Sequence, residues 1–381
     1  MADNLERLCT LRGFNKTNST PVSPLEREFL DDFALDRQRN VTLGRDNHQY
    51  LVEKYLDPRE RFAFDLSEGY ETFDPKPEGE GINSILKYIL LRAKDGDDLK
   101  TAVNGADIVC WRGLITKLAT SFYEQGGVGW KVVVTKLGDT LFMSEVSTEA
   151  KIKSMAAETA YQKKCTYWGH KFETFIFAKK DQNPTPNEPV STWEEKGVFF
   201  TVKLPGKADE PPIKLLCGAE IDGLDSDGNL VEVKTQVRDL FVGRFFPQKA
   251  MKWWIQSTLV GIQDIVVGFK LDSGIVNRLT KVQLNWLRNR LSKHWDPNVC
   301  LRTAGYIFNA IKTAYNEKIK PGQVLIVERQ PDSLNIWFTI APAESQEPIL
   351  TEEFIARFGG GTEAGKVSSD DGPSEPKRTR F

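Results

Sequence analysis

The chain has 381 residues, 40% of them hydrophobic and 27% charged, with a formal net charge of −2 at pH 7. That length and apolar content predict a globular protein with a substantial core, in as many as two or three domains by length alone. The near-neutral balance excludes a globally basic nucleic-acid binder, so any nucleic-acid groove must be a local patch offset by acids elsewhere.

The first eighty or so residues are interrupted by Pro21, Pro24, Pro58, Pro75 and Pro77. They read as an extended segment wrapping the rest of the chain, not a domain of its own. Residues 82–93 read as an amphipathic helix. Residues 107–111 read as a strand ending at Arg112-Gly113, with an apolar helix over 114–123. A hairpin is expected from 130–135 and 140–146 around Gly138-Asp139. Tyr161, Cys165, Trp168, Phe172 and Phe175 recur at steps of four and three. This spacing predicts one face of a long helix over 148–177, with Gly169 and Glu173 on a common stripe and His170 partly exposed. Residues 181–195, with Pro184, Pro186 and Pro189, read as a surface loop. Further strands are expected at 198–204, 213–222, 230–235, 264–270, 323–328 and 334–340, and helices at 247–260, 281–294 and 304–316. Strands outnumber the helices that could cross between them, and hairpin turns recur, which predicts a mixed sheet with flanking helices over a doubly wound parallel fold. From about Gly359 the chain turns Gly, Ser, Asp and Glu rich, so residues 358–381 are expected to form a disordered tail. The Pro376-Lys377-Arg378-Thr379-Arg380 end is a candidate nuclear-import patch or a merely solvated terminus. Gly360 to Lys366 fits the start of a P-loop, but Val367 replaces the Ser or Thr that would hold Mg²⁺, and no strand precedes it.

Several chemistries drop out. The five cysteines are odd in number, scattered and never in C-x-x-C, which argues against a disulfide framework or zinc ribbon and for a reducing compartment. No apolar signal core or membrane-length run is present, so a soluble intracellular protein with no membrane partner is expected. None of the three histidines, His48, His170 and His294, sits in a nucleophile motif.

What remains is concentrated in CGAEIDGLDSDGNLVEVKTQ, residues 217–236. Pairing Asp225 with Asn229 leaves Ser226, Asp227 and Gly228 as a three-residue hairpin loop, with glycine where a left-handed backbone is wanted. In that register Asp222 faces Glu232 and Glu220 faces Lys234, all four on one face of the ribbon. A two-residue Asp227-Gly228 turn would slip the register and turn Glu232 away. Opposed half-buried carboxylates call for a cation between them, and their hard oxygens suit Mg²⁺ or Mn²⁺. One or two such ions would position phosphate and activate water, with Lys234 beside the attacking water or phosphoryl oxygens. The alternative is a solvated acidic hairpin. Ile213, Leu215, Leu216, Ile221, Leu230, Val231 and Val233 argue against it, because they mark the strands as buried.

Beyond this hairpin, FAFDLSEGYETF, WRGLITKL, WKVVVTKLGDTLFMSEV, YWGHKFE, GAEIDG, LVEVKT, KWWIQSTLVGI and VGFKLDSG follow in order from Phe62 towards Ile340. This series resembles the decapping and 5′ to 3′ exoribonucleases of the DXO type and their fungal nuclear relatives. The resemblance implies an α+β fold: a single domain over 1–357 with two mixed, largely antiparallel β-sheets flanked by helices around a restriction-endonuclease-like D-(D/E)-x-K core. It implies Glu173, Glu220, Asp222, Glu232 and the main-chain carbonyl of Val233 as ligands of divalent metal, Mg²⁺ or Mn²⁺, as two ions. Lys234 and Gln256 would position water and the scissile phosphate, and Arg112 would bind the 5′-terminal phosphates. Asp222, Glu232, Lys234 and Gln256 are thus the catalytic candidates, and Arg112, Glu173, Lys234 and Gln256 the substrate contacts. The implied substrates are RNA 5′ ends bearing triphosphate, incompletely methylated or NAD caps. The expected setting is mRNA 5′-end quality control, nuclear and also cytoplasmic. The alternative function is a non-catalytic activating partner of a nuclear 5′-3′ exoribonuclease, and a DNA nuclease of the same broad fold shares the core motif.

Overall fold

The computed structural model describes residues 5–207 and 210–360. Its framework is a ten-stranded mixed sheet. In spatial order the strands are Glu6–Thr10, Asn335–Pro342, Gln323–Arg329, Trp130–Leu137, Thr140–Val146, Ile108–Trp111, Ile213–Glu220, Glu195–Leu204, Arg27–Leu35 and Val41–Leu43. Ile108–Trp111 runs parallel to both of its neighbours, and the other pairings are antiparallel. The wrapping segment supplies both outer strands: Glu6–Thr10 adds to one edge, while Arg27–Leu35 and Val41–Leu43 extend the other.

Side chains alternate across this sheet, so neighbouring residues enter different cores. Leu215 and Cys217 pack with the helices Arg112–Thr120, Phe246–Leu259 and Pro297–Lys318, while Leu216 packs with Asn83–Arg92 on the other side. A third core lies under the helix Ala160–Ile176, where Trp168, Phe172 and Ile176 meet Val231, Val233 and Val266.

Two four-stranded mixed sheets complete the fold, so there are three sheets among the described residues where two were expected. One holds Leu230–Val231, Gly223–Leu224, Tyr50–Leu51 and Phe177–Ala178; the other holds Val233–Val237, Asp264–Lys270, Ile275–Gln283 and Phe64–Asp65. They meet at Glu232, where one continuous stretch of chain changes partners. The fold is α+β with mixed sheets, as the motifs implied.

Three helices differ from expectation, the one expected over 304–316 running from Pro297 to Lys318. The long helix over 148–177 is broken into Glu149–Ala156 and Ala160–Ile176. Thr159 starts the second with a capping box, its hydroxyl accepting from the Gln162 N–H while the Gln162 side chain accepts from the Thr159 N–H. The helix expected over 281–294 is confined to Leu284–Arg290, and Lys281 to Gln283 end a strand instead. Val276, Leu279 and Val282 are its buried residues, and steps of three imitate a helical face. The glycine-rich tail from residue 361 onward, including most of the P-loop-like stretch and the basic end, lies outside the described residues.

Candidate active site

The predicted turn is present. Asp225 donates its N–H to the Asn229 carbonyl at 2.9 Å, Gly228 donates to the Asp225 carbonyl at 3.0 Å, and Gly228 has φ 82°. Gly223 pairs with Val231 and Leu224 with Leu230, the register of the three-residue loop. The ladder does not continue to a Glu220–Lys234 pair, however. Glu220 pairs with Gly197 and the Ile221 N–H donates to the Lys196 carbonyl at 2.9 Å, so this strand stays with the large sheet until Glu220. Glu220 therefore reaches the site from the large sheet.

Asp222 bridges the gap with its side chain. Its Oδ2 accepts the Val233 N–H at 2.6 Å. The neighbouring Glu232 carbonyl accepts from the Val266 N–H at 3.0 Å on the opposite side of the strand. Because successive residues of a strand point their backbone groups to opposite edges, the Val233 carbonyl faces the Asp222 edge with its own N–H. Glu232 and Lys234, two residues apart, share one face, and the Lys234 ammonium donates to Glu232 Oε1.

Arg112 arrives from the carboxyl end of Ile108–Trp111, which lies parallel to Ile213–Glu220, so Arg112 and Glu220 leave neighbouring parallel strands at the same end. Ligand crevices in such sheets form beyond those strand ends. The position is fixed by Trp111: its indole N–H donates to the Gly81 carbonyl at 3.0 Å, and a Cβ on Gly218 would come within 2.4 Å of its ring. Arg112 Nη1 lies 3.6 Å from Glu232 Oε2 and donates to the Gln256 carbonyl at 3.4 Å. Gln256 is presented by Phe246–Leu259, anchored by buried Trp253 and Trp254. Glu173 stands in the last turn of Ala160–Ile176 with its side chain 37% exposed, its Oε1 3.9 Å from His170 Nδ1. The structure thus brings Asp222, Glu232, Lys234 and Arg112 into direct contact, with Glu173 and Glu220 close enough to act on Asp222 electrostatically and Gln256 reached through its main-chain carbonyl.

Electrostatics divides them. Glu232 is only 3% exposed; burial alone would raise its carboxyl, but Lys234 and Arg112 outweigh this and hold it below the usual range. Asp222 is pushed up to about 6 by burial and by Glu232, and Glu220 to about 7 by burial, Glu195 and Asp222. Glu173 is raised well above its ordinary value by its surroundings and by Asp222 and Glu220. Glu220 keeps surface open to water on the wall of the cavity it shares with Glu195, which places two carboxylates side by side there. Glu232 Oε2 is buried and is met by Arg112 at 3.6 Å, longer than a hydrogen bond. As the side chains stand, no group of three or more His, Cys, Asp or Glu residues among those described is closed around a common point to clasp an ion.

The sequence reading missed a second network. Glu195, 7% exposed at the head of its strand, pairs with Arg39 (2.9 Å) and Lys76, and both cations also pair with Glu80. A cavity of about 330 Å³ opens between this network and Glu220, with His170, Lys117 and Lys151 also on its wall. Arg39, Lys76 and Glu80 come from the wrapping segment and carry no local pattern; only Glu195, a charge heading the apolar run Gly197 to Phe200, offered a signal.

Over residues 28–355 the chain matches the family described as RAI1 like PD-(D/E)XK nuclease. It is 32% identical over 318 residues to the decapping nuclease dom-3 of Caenorhabditis elegans, covering 82% of this chain and 79% of that protein. Its fold resembles Scheffersomyces stipitis Rai1 in complex with (3′-NADP)⁺ and calcium ion, with TM-score 0.69, 17% identity, and 90% and 98% of the two chains covered. It also resembles Candida albicans Rai1 in complex with pU5-Mn²⁺, with TM-score 0.68, 19% identity and the same coverage. The family suggested by the ordered motifs is borne out, and the chain belongs to the RAI1-like PD-(D/E)XK nucleases, a hydrolytic family.

Proposed function

We propose that this nuclease is a divalent-metal-dependent hydrolase of RNA 5′ ends. In this reading it removes pyrophosphate from triphosphate ends, releases incompletely methylated and NAD caps, and shortens the exposed RNA 5′ to 3′ during 5′-end quality control. The observation that carries it is the Asp222, Glu232 and Lys234 constellation, locked by the Val233 N–H, with the buried Glu232 carboxylate set between Lys234 and Arg112. The relatives agree in name: the nematode protein is a decapping nuclease, and the Candida protein was crystallised with pU5-Mn²⁺.

The donor set fits a hard cation. Glu173, Glu220, Asp222, Glu232 and the Val233 carbonyl offer oxygen alone, the preference of Mg²⁺ and Mn²⁺. The raised carboxyls of Glu173, Glu220 and Asp222 report a deficit of positive charge that such ions remedy. We assign these five as the ligands of two ions. When bound, the ions supply a water acidic enough to attack at neutral pH and charge for the leaving oxygen. Lys234, kept protonated by Glu232 and Asp222 despite burial, holds the water or a phosphoryl oxygen on the open side of the strand. Gln256 orients the scissile phosphate through its carboxamide. Arg112 lies in the first turn of the nine-residue helix Arg112–Thr120, where guanidinium and free backbone N–H groups both favour an anion; it grips the terminal phosphates. We place this work in the nucleus, with a nuclear 5′-3′ exoribonuclease as the partner to seek.

The test is incubation of purified protein with end-labelled RNAs carrying triphosphate, monophosphate, hydroxyl, unmethylated cap, methylated cap or NAD, with Mn²⁺ or with chelator. Metal-dependent release from triphosphate or capped ends, abolished by Asp222→Ala, is expected. Normal processing by Asp222→Ala protein, or by wild type in chelator, would overturn the proposal.

A further inference from the structure

The strand that carries Glu232 and Lys234 continues along the same face to Gln236, whose carboxamide donates to the Val242 carbonyl at 3.0 Å. This bond ties the loop between Val233–Val237 and Phe246–Leu259 to the catalytic face. Lys249 fastens the other side, donating to the Thr235 carbonyl at 2.9 Å and to Gln236 Oε1 at 3.0 Å. The loop thus joins the element bearing Lys234 to the one bearing Gln256, and it is held in register with both.

What it presents is unusual for a solvent-facing loop. Phe241 is 41% exposed and Phe245 55%, with Trp286 at 44% beside Phe241, ring centroids 5.8 Å apart. Phe241 has φ 65°, a left-handed conformation that a bulky side chain rarely adopts. Such strain persists where surrounding structure enforces it, and it clusters at functional positions. Cations interleave the rings: Arg244 lies over Phe245 at 4.5 Å and Arg290 over Phe241 at 5.8 Å. Arg238 and Arg278 flank the loop and are paired with Asp272 and Asp239. Arg244 and Arg290 have no acidic partner among the described residues.

We propose that this rim is a stacking platform for the body of a single-stranded RNA whose 5′ end lies in the catalytic cleft, Phe241, Phe245 and Trp286 receiving bases and Arg244 and Arg290 the backbone phosphates. Aromatic faces interleaved with cations are the chemistry of sequence-tolerant single-strand binding. Two features favour RNA over an apolar protein partner: the unpaired positive charge, and the hydrogen-bonded continuity with the Lys234 strand. The platform rests on the proposed function and deepens it, since it makes affinity depend on RNA length.

The test measures binding in chelator and turnover in Mn²⁺ for two substrates, a 5′-triphosphorylated dinucleotide and a 5′-triphosphorylated 20-nucleotide oligouridylate. The proteins are wild type, Phe241→Ala/Phe245→Ala and Arg244→Ala/Arg290→Ala. The platform predicts that each double variant weakens 20-mer binding roughly tenfold or more, leaving dinucleotide KM and kcat unchanged. The arginine variant should also flatten the salt dependence of 20-mer binding, by a slope of about one to two. Unchanged 20-mer affinity in both variants overturns the platform, as does loss of a wild-type dimer in sedimentation with RNA binding intact. Wild-type protein that binds the 20-mer through these residues yet releases nothing from any 5′ end sinks the proposed function and leaves the platform standing.

Discussion

The two sides of the acidic cleft solve the same electrostatic problem differently. On the Glu232 side the carboxylate is almost fully buried, and the chain supplies its own counter-charges, Lys234 on the next same-facing position and Arg112 from a neighbouring strand end. On the Glu220 and Glu173 side the acids face one another and Glu195, whose own cations, Arg39 and Lys76, are shared with Glu80. One side supplies cations in excess of its buried carboxylate; the other is poised for cations from outside. The lysine of the D-(D/E)-x-K core therefore has a structural duty as well as a chemical one, since with Arg112 it holds Glu232 ionised at that depth.

The comparison is broken most severely at Glu232. Glu232→Gln leaves the Arg112 and Lys234 charges facing a neutral amide, so we expect a stability loss of roughly 3 kcal/mol in denaturant titrations. RNA 5′-end hydrolysis should fall by a factor on the order of 10²–10³ or more, measured on folded protein. Retained activity would mean that the self-neutralised side is not the catalytic one.

A smaller effect is expected from moving the other side without altering its charges. Phe172, fully buried, precedes Glu173, and a Cβ on Gly268 would lie 2.5 Å from its ring. Gly268→Ala should cost about 1–3 kcal/mol by overpacking and lower turnover between tenfold and a hundredfold by displacing Glu173. Adding Phe172→Leu should restore much of both; turnover insensitive to Gly268→Ala would remove Glu173 from the site.

The smallest effect separates the sides by pH. Glu220 and Asp222 have folded-state pKa values of about 7 and about 6, above their ordinary values of 4.5 and 3.8. Protons therefore bind the folded state more tightly, and their stabilisation is complete below the ordinary values and lost as pH rises through 6 to 7. Glu232 has the opposite sign and weakens the fold only as pH drops below the ordinary carboxylate range. Tm of the metal-free protein should rise by a few degrees as pH is lowered from 7.5 to 5, and Mn²⁺ at pH 7.5 should remove most of that dependence. A flat metal-free profile would show that the outer acids are not crowded.

Much of this was legible because it is local. The Asp225 to Asn229 turn, the shared face of Glu232 and Lys234, and the strand leading to Arg112 follow from alternation and turn chemistry within a few residues. The Glu220–Lys234 facing was misjudged because a strand can change sheets in two residues: the Ile221 N–H is taken by Lys196, a partner no local pattern reveals. The Arg39, Lys76, Glu80 and Glu195 network escaped for the same reason, being assembled from segments more than a hundred residues apart. The strand Ile275–Gln283 was not anticipated, because its buried residues fall at every third position and lack the strict alternation that marks a half-buried strand.

The placement of the first residues carries a further consequence. Glu6–Thr10 closes one margin of the large sheet by pairing with Asn335–Pro342, and Arg27–Leu35 lines the strand that begins at Glu195. A ribosome makes the first of these pieces some three hundred residues before its partner, so the nascent chain must carry an unmated strand until Asn335–Pro342 has emerged, the arrangement that slows folding and invites intermolecular pairing. Removing Glu6–Thr10 would therefore replace a short open edge by the longer Asn335–Pro342 edge, and self-association would follow before any loss of chemistry.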